Sequence, residues 1–476
     1  MPSRFVPRTL ALATVAALAA CAEPITEPET TLQPNFAKAS SSSSGGATTA
    51  EGSNHIVVFA SGIPEGFADD VAEAGGRLHA VYPEIGVAVV ADLDARAAGG
   101  LKKASKARYV ALEPMLALDE PGSMSDAVEA GLGLASADDP TTASFYPAQW
   151  NMWAIEAERA WAAGRLGASS TTVAILDSGV DYLHQDLAGR VDLSRSISFV
   201  PSDDDLVAAF RPGLHPSTDL RYHGTHVASI VASNGIGMAG VTSGVTLTSV
   251  KVCSVFGSCA GSAVFAGILY AIQSGADVAN MSLGGYFTKS DFPGFVSVVQ
   301  RLFNLAKQQG VTMVVAAGNA ANDLDHDGNG FATYCNAANV VCVSATGPTA
   351  GGTFTTGPFE NPDAPASYTN YGRSAIDVAA PGGNVTAVIG ACSTATLFSA
   401  LQVCTTSPTW YVGLAGTSMA SPHAAGVAAL IHGDVGRNPA QIRARLHQSA
   451  DDLGQSGTDP FYGKGRVNAG NAVGAS

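Results

Sequence analysis

Three residues, far apart in the chain, have the side-chain types that together activate a hydroxyl nucleophile. Asp177 ends the apolar run VAILD and is followed by Ser178 and Gly179. His223 opens the segment HGTHVASIVAS, and Ser418 sits in GTSMASPH ahead of the small-residue run AAGVAALI. A serine hydroxyl attacks a carbonyl well only when an imidazole takes its proton, and that imidazole needs a carboxylate to hold its tautomer and stabilise its charged form. Asn319, at the end of VVAAGN, can aim an amide N–H at the oxygen that becomes negative in such an attack, and the Ser418 backbone N–H would be a second donor. Each residue alone has a plainer reading: a strand-end turn for Asp177, a helix cap for His223 or Ser418, a turn for Asn319. All four in one chain favour acyl transfer.

These groups need a scaffold that brings distant segments to one edge. From Phe145 onward, strand-like runs at 171–177, 245–253, 276–282, 311–319, 339–345 and 376–380 alternate with helix-like segments. That pattern predicts an α/β domain whose mainly parallel sheet is covered by helices on both faces. Sites in such folds lie at the carboxyl ends of the strands, where Asp177 and Asn319 fall. A helix starting near Ser418, with Pro422 in its first turn, places the hydroxyl beside free backbone amides.

The segments DSGV, HGTHVA and GTSMASPHAAG resemble the three signature segments of the subtilase family (peptidase family S8), and the resemblance runs from QWNMWAIEAERAW (149–161) to YGKGRVNAGNAV near the C-terminus. The chain order Asp, His, Ser is that of subtilisin itself and is part of the resemblance. The resemblance implies a subtilisin-like three-layer α/β/α domain over 145–476. It also implies a serine endopeptidase working through an acyl-enzyme with no cofactor for catalysis. Ser418 would attack, His223 carry the proton, Asp177 orient His223, and Asn319 with the Ser418 amide bind the oxyanion. The segment MSLGG (281–285) matches the family's substrate strand. Ser282, Leu283 and Gly284 would therefore pair with extended peptide and, with Ala316, Ala317 and Gly318, wall the S1 pocket. Small uncharged walls imply an apolar or permissive preference there.

The region ahead of the catalytic domain has its own divisions. Arg4 and Arg8 precede an apolar run from Leu10 to Ala20 that ends in Leu18-Ala19-Ala20-Cys21, so residues 1–21 resemble a lipoprotein-type signal with Cys21 as the acylated residue. An ordinary secretory signal is the alternative, and both export the protein, to a lipid-anchored place at the cell envelope or to the exterior. Residues 22–53 are Ser-rich and aperiodic, a flexible tether. Residues 54–119 have the βαββαβ order of a small ferredoxin-like α+β domain. By the family resemblance this is an inhibitory propeptide of the inhibitor I9 type, with 109–119 as its cleft-occupying tail and a maturation cut between 118 and 144. Residues 120–144, rich in Gly, Ala, Ser and Asp, look like a linker.

Apart from Cys21, the six cysteines fall into local couples: Cys253 with Cys259, Cys335 with Cys342, and Cys392 with Cys404. Export favours disulfides, and many pairings are open from sequence. Metal ligation is the rival, without a CxxC spacing to support it. Asp323, Asp325 and Asp327 with Gly328 make a D-x-D-x-D-G run that resembles a calcium loop, although Tyr334 stands where an EF-hand has its bidentate Glu. A solvated acidic turn is the alternative. Asp186 matches a second calcium ligand of the family, but the loop at 232–240 is shorter than subtilisin's own. With 25 Lys and Arg against 40 Asp and Glu, and no basic block, nucleic acid is excluded as a partner. The expected partners are polypeptide substrates and the chain's own propeptide, around a monomer. Three rivals stay open: a protease with a narrow substrate set, a non-catalytic surface binding protein with this fold, and an esterase, which lacks its G-x-S-x-G elbow here.

Overall fold

The computed structural model describes residues 54–118, 123–133, 136, 138–290, 292–332, 334–397, 404 and 406–475. The signal, Cys21 and the tether lie outside the described residues.

The first elements are β1 (His55–Val58), α1 (Phe67–Glu73), β2 (Arg77–Tyr82), β3 (Val87–Ala91), α2 (Ala95–Ala104) and β4 (Tyr109–Leu112). The strands form an antiparallel sheet in the order β2-β3-β1-β4, the ferredoxin-like arrangement of a βαββαβ chain. Alternate side chains point to opposite faces of a strand, and both faces are apolar here. Val57, Ala88 and Val90 pack under the two helices with Phe67, Val71 and Leu101. Ile56, Val58, Val87 and Val89 belong instead to a core shared with the catalytic domain. Three short strands follow: β5 (Met115–Ala117), β6 (Ser123–Met124) and β7 (Val128–Glu129). The last two lie where composition indicates a linker. Their extended form comes from hydrogen bonding to a distant strand, which local composition does not encode.

The catalytic region begins with α3 (Trp150–Ala154), α4 (Ala157–Ala162), β8 (Thr172–Asp177), β9 (Ile197–Ser198), α5 (Pro201–Phe210), α6 (His223–Val231) and β10 (Thr246–Lys251). It continues through β11 (Ser258–Ala260), α7 (Gly261–Gln273), β12 (Val278–Met281), β13 (Tyr286–Thr288), α8 (Pro293–Gln308), β14 (Thr312–Ala316) and β15 (Gly330–Ala332). It closes with β16 (Val341–Thr346), β17 (Val378–Pro381), β18 (Val388–Ala391), β19 (Trp410–Ala415), α9 (Thr417–Val435), α10 (Pro439–Ser449) and α11 (Ala469–Ala472). Seven strands form one parallel sheet in the order β17-β16-β14-β12-β8-β10-β9. Val173 and Ile175 of β8 face α6 and the long α9, whereas Ala174 and Leu176 face α7 and α8. The result is the three-layer α/β/α sandwich. Among the described residues no helix is long and apolar enough to cross a membrane.

The three local cysteine couples are disulfides: Cys253–Cys259, Cys335–Cys342 and Cys392–Cys404.

The ferredoxin-like domain is seated on α7 and α8. Arg301 of α8 donates from Nη1 to the carbonyls of Phe59 and Ile85 at 2.8 and 2.7 Å. At the start of α7, the Glu113 carboxylate accepts the Ser262 N–H, where a helix N-terminus favours an anion. Two charge-assisted bonds from one side chain make Arg301 a main fastening. In a chain severed after Leu118, Arg301→Ala is expected to weaken retention of residues 54–118 about tenfold or more. Co-elution of the two pieces in size-exclusion chromatography checks this; unchanged co-elution would contradict it.

Candidate active site

Asp177 is the last residue of β8, His223 the first of α6 and Ser418 the second of α9. All three are almost wholly buried. His223 Nδ1 lies 2.8 Å from Asp177 Oδ1, which also accepts the Ser178 N–H at 2.7 Å. A carboxylate on Nδ1 fixes that nitrogen as the protonated one and leaves Nε2 as the free acceptor. His223 Nε2 is buried and has no hydrogen-bond partner among the described residues.

The close approach of the Asp177 and His223 segments depends on two glycines. Gly179 has φ +110°, and a Cβ on Gly224 would stand 2.0 Å from Gly179 O. A fully buried carboxylate that the sequence analysis did not single out, Asp219, ties the same segments together. Its Oδ1 accepts from Ser178 Oγ at 2.9 Å and from the N–H groups of Arg221 and Tyr222 at 2.9 and 3.1 Å. Its Oδ2 accepts from Thr225 N and Oγ1 at 3.0 and 2.7 Å. Asp219 thus caps the helix that carries His223 and holds Tyr222, which has φ 151°, just ahead of it. Burial pushes its carboxyl pKa up. An acid four residues ahead of a helix-opening histidine was the available sequence signal.

Ser418 Oγ donates to Ser282 O at 3.2 Å, and Ser282 Oγ donates to Ser418 O at 2.8 Å. Pro422 explains the second bond. It is the sixth residue of α9, not a first-turn residue as expected, and having no N–H it cannot bond the carbonyl four residues back. That carbonyl belongs to Ser418, so the Ser282 hydroxyl takes the place of the missing helical donor. Asn319 Oδ1 accepts from Thr417 N and Oγ1, both at 2.8 Å, which fixes the amide. Its Nδ2 is buried and unpartnered among the described residues. Two further histidines nearby, His226 and His423, are fully buried; burial lowers their pKa values to about 3 and about 4, so both are neutral.

The residues expected to bind substrate also come together. Ser282, Leu283 and Gly284 follow β12, and Ala316 ends the neighbouring strand β14 with Ala317 and Gly318 just beyond it. Gly284 exchanges two backbone hydrogen bonds with Ala117, each 2.9 Å. On its other side β5 pairs antiparallel with β11, Ser258 opposite Ala117 and Ala260 opposite Met115. The tail of the ferredoxin-like domain therefore lies as an extended strand between two catalytic-domain segments, two residues from the Ser282 that touches Ser418.

Residues 168–465 match the subtilase family, Peptidase S8, over more than half of the chain. The chain belongs to the subtilase family of serine-type endopeptidases. Among curated relatives, the subtilase is 35% identical to thermitase of Thermoactinomyces vulgaris over 338 residues, 70% of this chain and 99% of that one. It is 34% identical over 310 residues to the thermophilic serine proteinase of Bacillus sp. (strain AK1), 64% of this chain and 62% of that one. Halolysin of Haloferax mediterranei is 36% identical over 71% of this chain and 55% of its own length. Among solved structures, the epidermin leader peptide processing serine protease of Staphylococcus aureus shares the fold at a TM-score of 0.66 and 20% identity, covering 89% of this chain and 98% of that one.

In this subtilase each of the acidic residues expected to bind calcium has a protein partner. Asp323 pairs with His326, Asp325 accepts the Ser374 hydroxyl and N–H, and Asp327 pairs with Lys289. Among the described residues no cluster of three or more His, Cys, Asp or Glu side chains is arranged to hold a metal. The buried Asp186 is held by protein donors as well. Its oxygens accept from the N–H groups of Ile236, Gly237 and Met238 at 2.7, 3.0 and 3.1 Å and from the Tyr411 hydroxyl at 2.5 Å. The shortened loop thus supplies donors where a metal would otherwise neutralise the charge. Tyr411→Phe leaves that carboxylate one donor short and is expected to cost about 1–3 kcal/mol of stability. Thermal or denaturant unfolding checks this; an unshifted midpoint would contradict it.

Proposed function

We infer that this subtilase is an exported zymogen that hydrolyses peptide bonds through Ser418, His223 and Asp177 and cuts its own chain to become active. The observation that supports the reading is a pair of buried polar atoms without a partner among the described residues, the acceptor His223 Nε2 beside Asp177 and the donor Asn319 Nδ2 beside the Ser418 segment. Unsatisfied buried polar atoms are costly, and they persist where a substrate completes them. Rotation of the Ser418 hydroxyl away from Ser282 O brings its proton to Nε2. The oxygen then attacks the carbonyl, the imidazolium is held by Asp177, and Asn319 Nδ2 with the Ser418 N–H receives the oxyanion. His223 passes the proton to the leaving amine, and water releases the acyl group by the reverse sequence.

The chain's own backbone supports self-cleavage. Ala117 is paired beside Ser282 on one flank of Ser418, and Ser123 pairs with Ala415, three residues before Ser418, on the other. The bond that Ser418 cuts in maturation therefore lies between Leu118 and Ser123, and residues 54–118 stay behind as an inhibitor in the cleft. The charged and apolar pattern of residues 1–21 supports export, with Cys21 as the lipid attachment. A lipid there anchors only the pro-region once the chain is cut.

The test is to produce the full chain and follow its length and its hydrolysis of casein. The expected result is a fragment that begins between residues 119 and 123, followed by casein cleavage. A folded chain that stays at full length and cuts nothing would favour the binding-protein reading.

A further inference from the structure

The strand β19 runs directly into Gly416-Thr417-Ser418, and its free edge is covered by the segment that follows the self-cleavage region. Ala415 and Leu414 face Ser123 and Met124, and Tyr411 and Trp410 face Val128 and Glu129, all antiparallel. Ser125 donates its N–H to Gly413 O and accepts the Gly413 N–H on its Oγ, both at 2.9 Å. Ala130 N–H donates to Thr409 O, the Thr409 hydroxyl to Glu129, and Gln185 Nε2 to Gly131 O. None of these bonds involves the ferredoxin-like domain. A cut between Leu118 and Ser123 therefore severs the chain without loosening this strand, whose far end remains covalently joined to the catalytic domain.

We propose that residues 123–131 are a second inhibitory strand, which occupies the side of the cleft meant for substrate beyond the scissile bond and outlasts the first cut. The proposal rests on the self-cleavage reading above. Extended peptide leaving Ser418 on the amine side must lie along β19, and the tethered strand competes there at an effective concentration of about millimolar or more. Full activity therefore requires a second hydrolysis that detaches the strand. The exposed segment at 131–133, where Leu132 is 84% exposed, is the accessible place for another copy to make it. Each cut is an ordinary hydrolysis: one C–N bond breaks, water supplies hydroxyl to the carbonyl and hydrogen to the amine.

The experiment follows the full chain by intact mass and by hydrolysis of a peptide that extends on both sides of its scissile bond. In wild type, activity should lag the first cut and rise with loss of the residues up to the exposed segment at 131–133. In Ser125→Pro, which removes both bonds to Gly413, activity should rise with the first cut. A synthetic peptide of sequence SMSDAVEAGLG should inhibit the trimmed enzyme, and the same peptide with proline at the position of Ser125 should do so about tenfold more weakly. Full wild-type activity at the first cut, with residues 123–133 still attached and no inhibition by the peptide, overturns the proposal. A chain that never makes the first cut removes the self-cleavage reading itself, and the proposal with it.

Discussion

Ser418→Ala is expected to leave the chain at full length and to remove proteolysis, a loss on the order of 10⁶-fold in kcat when such a nucleophile is taken away. The substitution removes the attacking oxygen while sparing the fold. Ser418 O keeps the hydrogen bond from Ser282 Oγ, and α9 keeps its buried face against the sheet. Ser282 O loses one hydroxyl donor, a small change beside the loss of chemistry. The two effects are separable by measurement: intact mass over time reads self-cleavage, casein hydrolysis reads activity, and a melting curve confirms that the variant folds. A Ser418→Ala chain that still shortens when purified away from other proteases would contradict the assignment.

The second large effect is at Asn319. Its Nδ2 is a buried side-chain donor left without a partner among the described residues, and removing one oxyanion donor typically costs about 10²–10³-fold in kcat with little change in KM. Asn319→Ala, however, also removes the acceptor that holds Thr417 N and Oγ1. Asn319→Asp keeps an acceptor for Thr417 and loses only the donor, adding a negative charge where negative charge must develop. Both variants should lose at least about two orders of magnitude in kcat. If the aspartate variant retained most of the activity, Asn319 would act only by positioning Thr417.

Much of this arrangement was legible because the chemistry lies at strand ends. The six apolar runs become β8, β10, β12, β14, β16 and β17, since buried parallel strands leave a continuous apolar signal. Asp177 and Asn319 then fall at the carboxyl edge of the sheet. What local sequence could not carry is pairing between distant segments. The hairpin of β18 and β19 interrupts the expected alternation, and β6 and β7 are strands only because β19 offers them an unpaired edge. Asp219 was missed for a related reason: its five donors come from Ser178 after β8, Arg221 and Tyr222 ahead of α6, and Thr225 within α6, which only the fold brings around one carboxylate. The partners of the D-x-D-x-D-G carboxylates, His326, Ser374 and Lys289, were likewise beyond what its spacing could tell.

The most direct test of the central claim is to treat the processed protein with a serine-directed organophosphorus reagent and map the adduct by peptide mass spectrometry. The account predicts one adduct, on Ser418, appearing as casein hydrolysis disappears. Unmodified Ser418 in a fully inhibited sample, or an adduct on another serine, would contradict it.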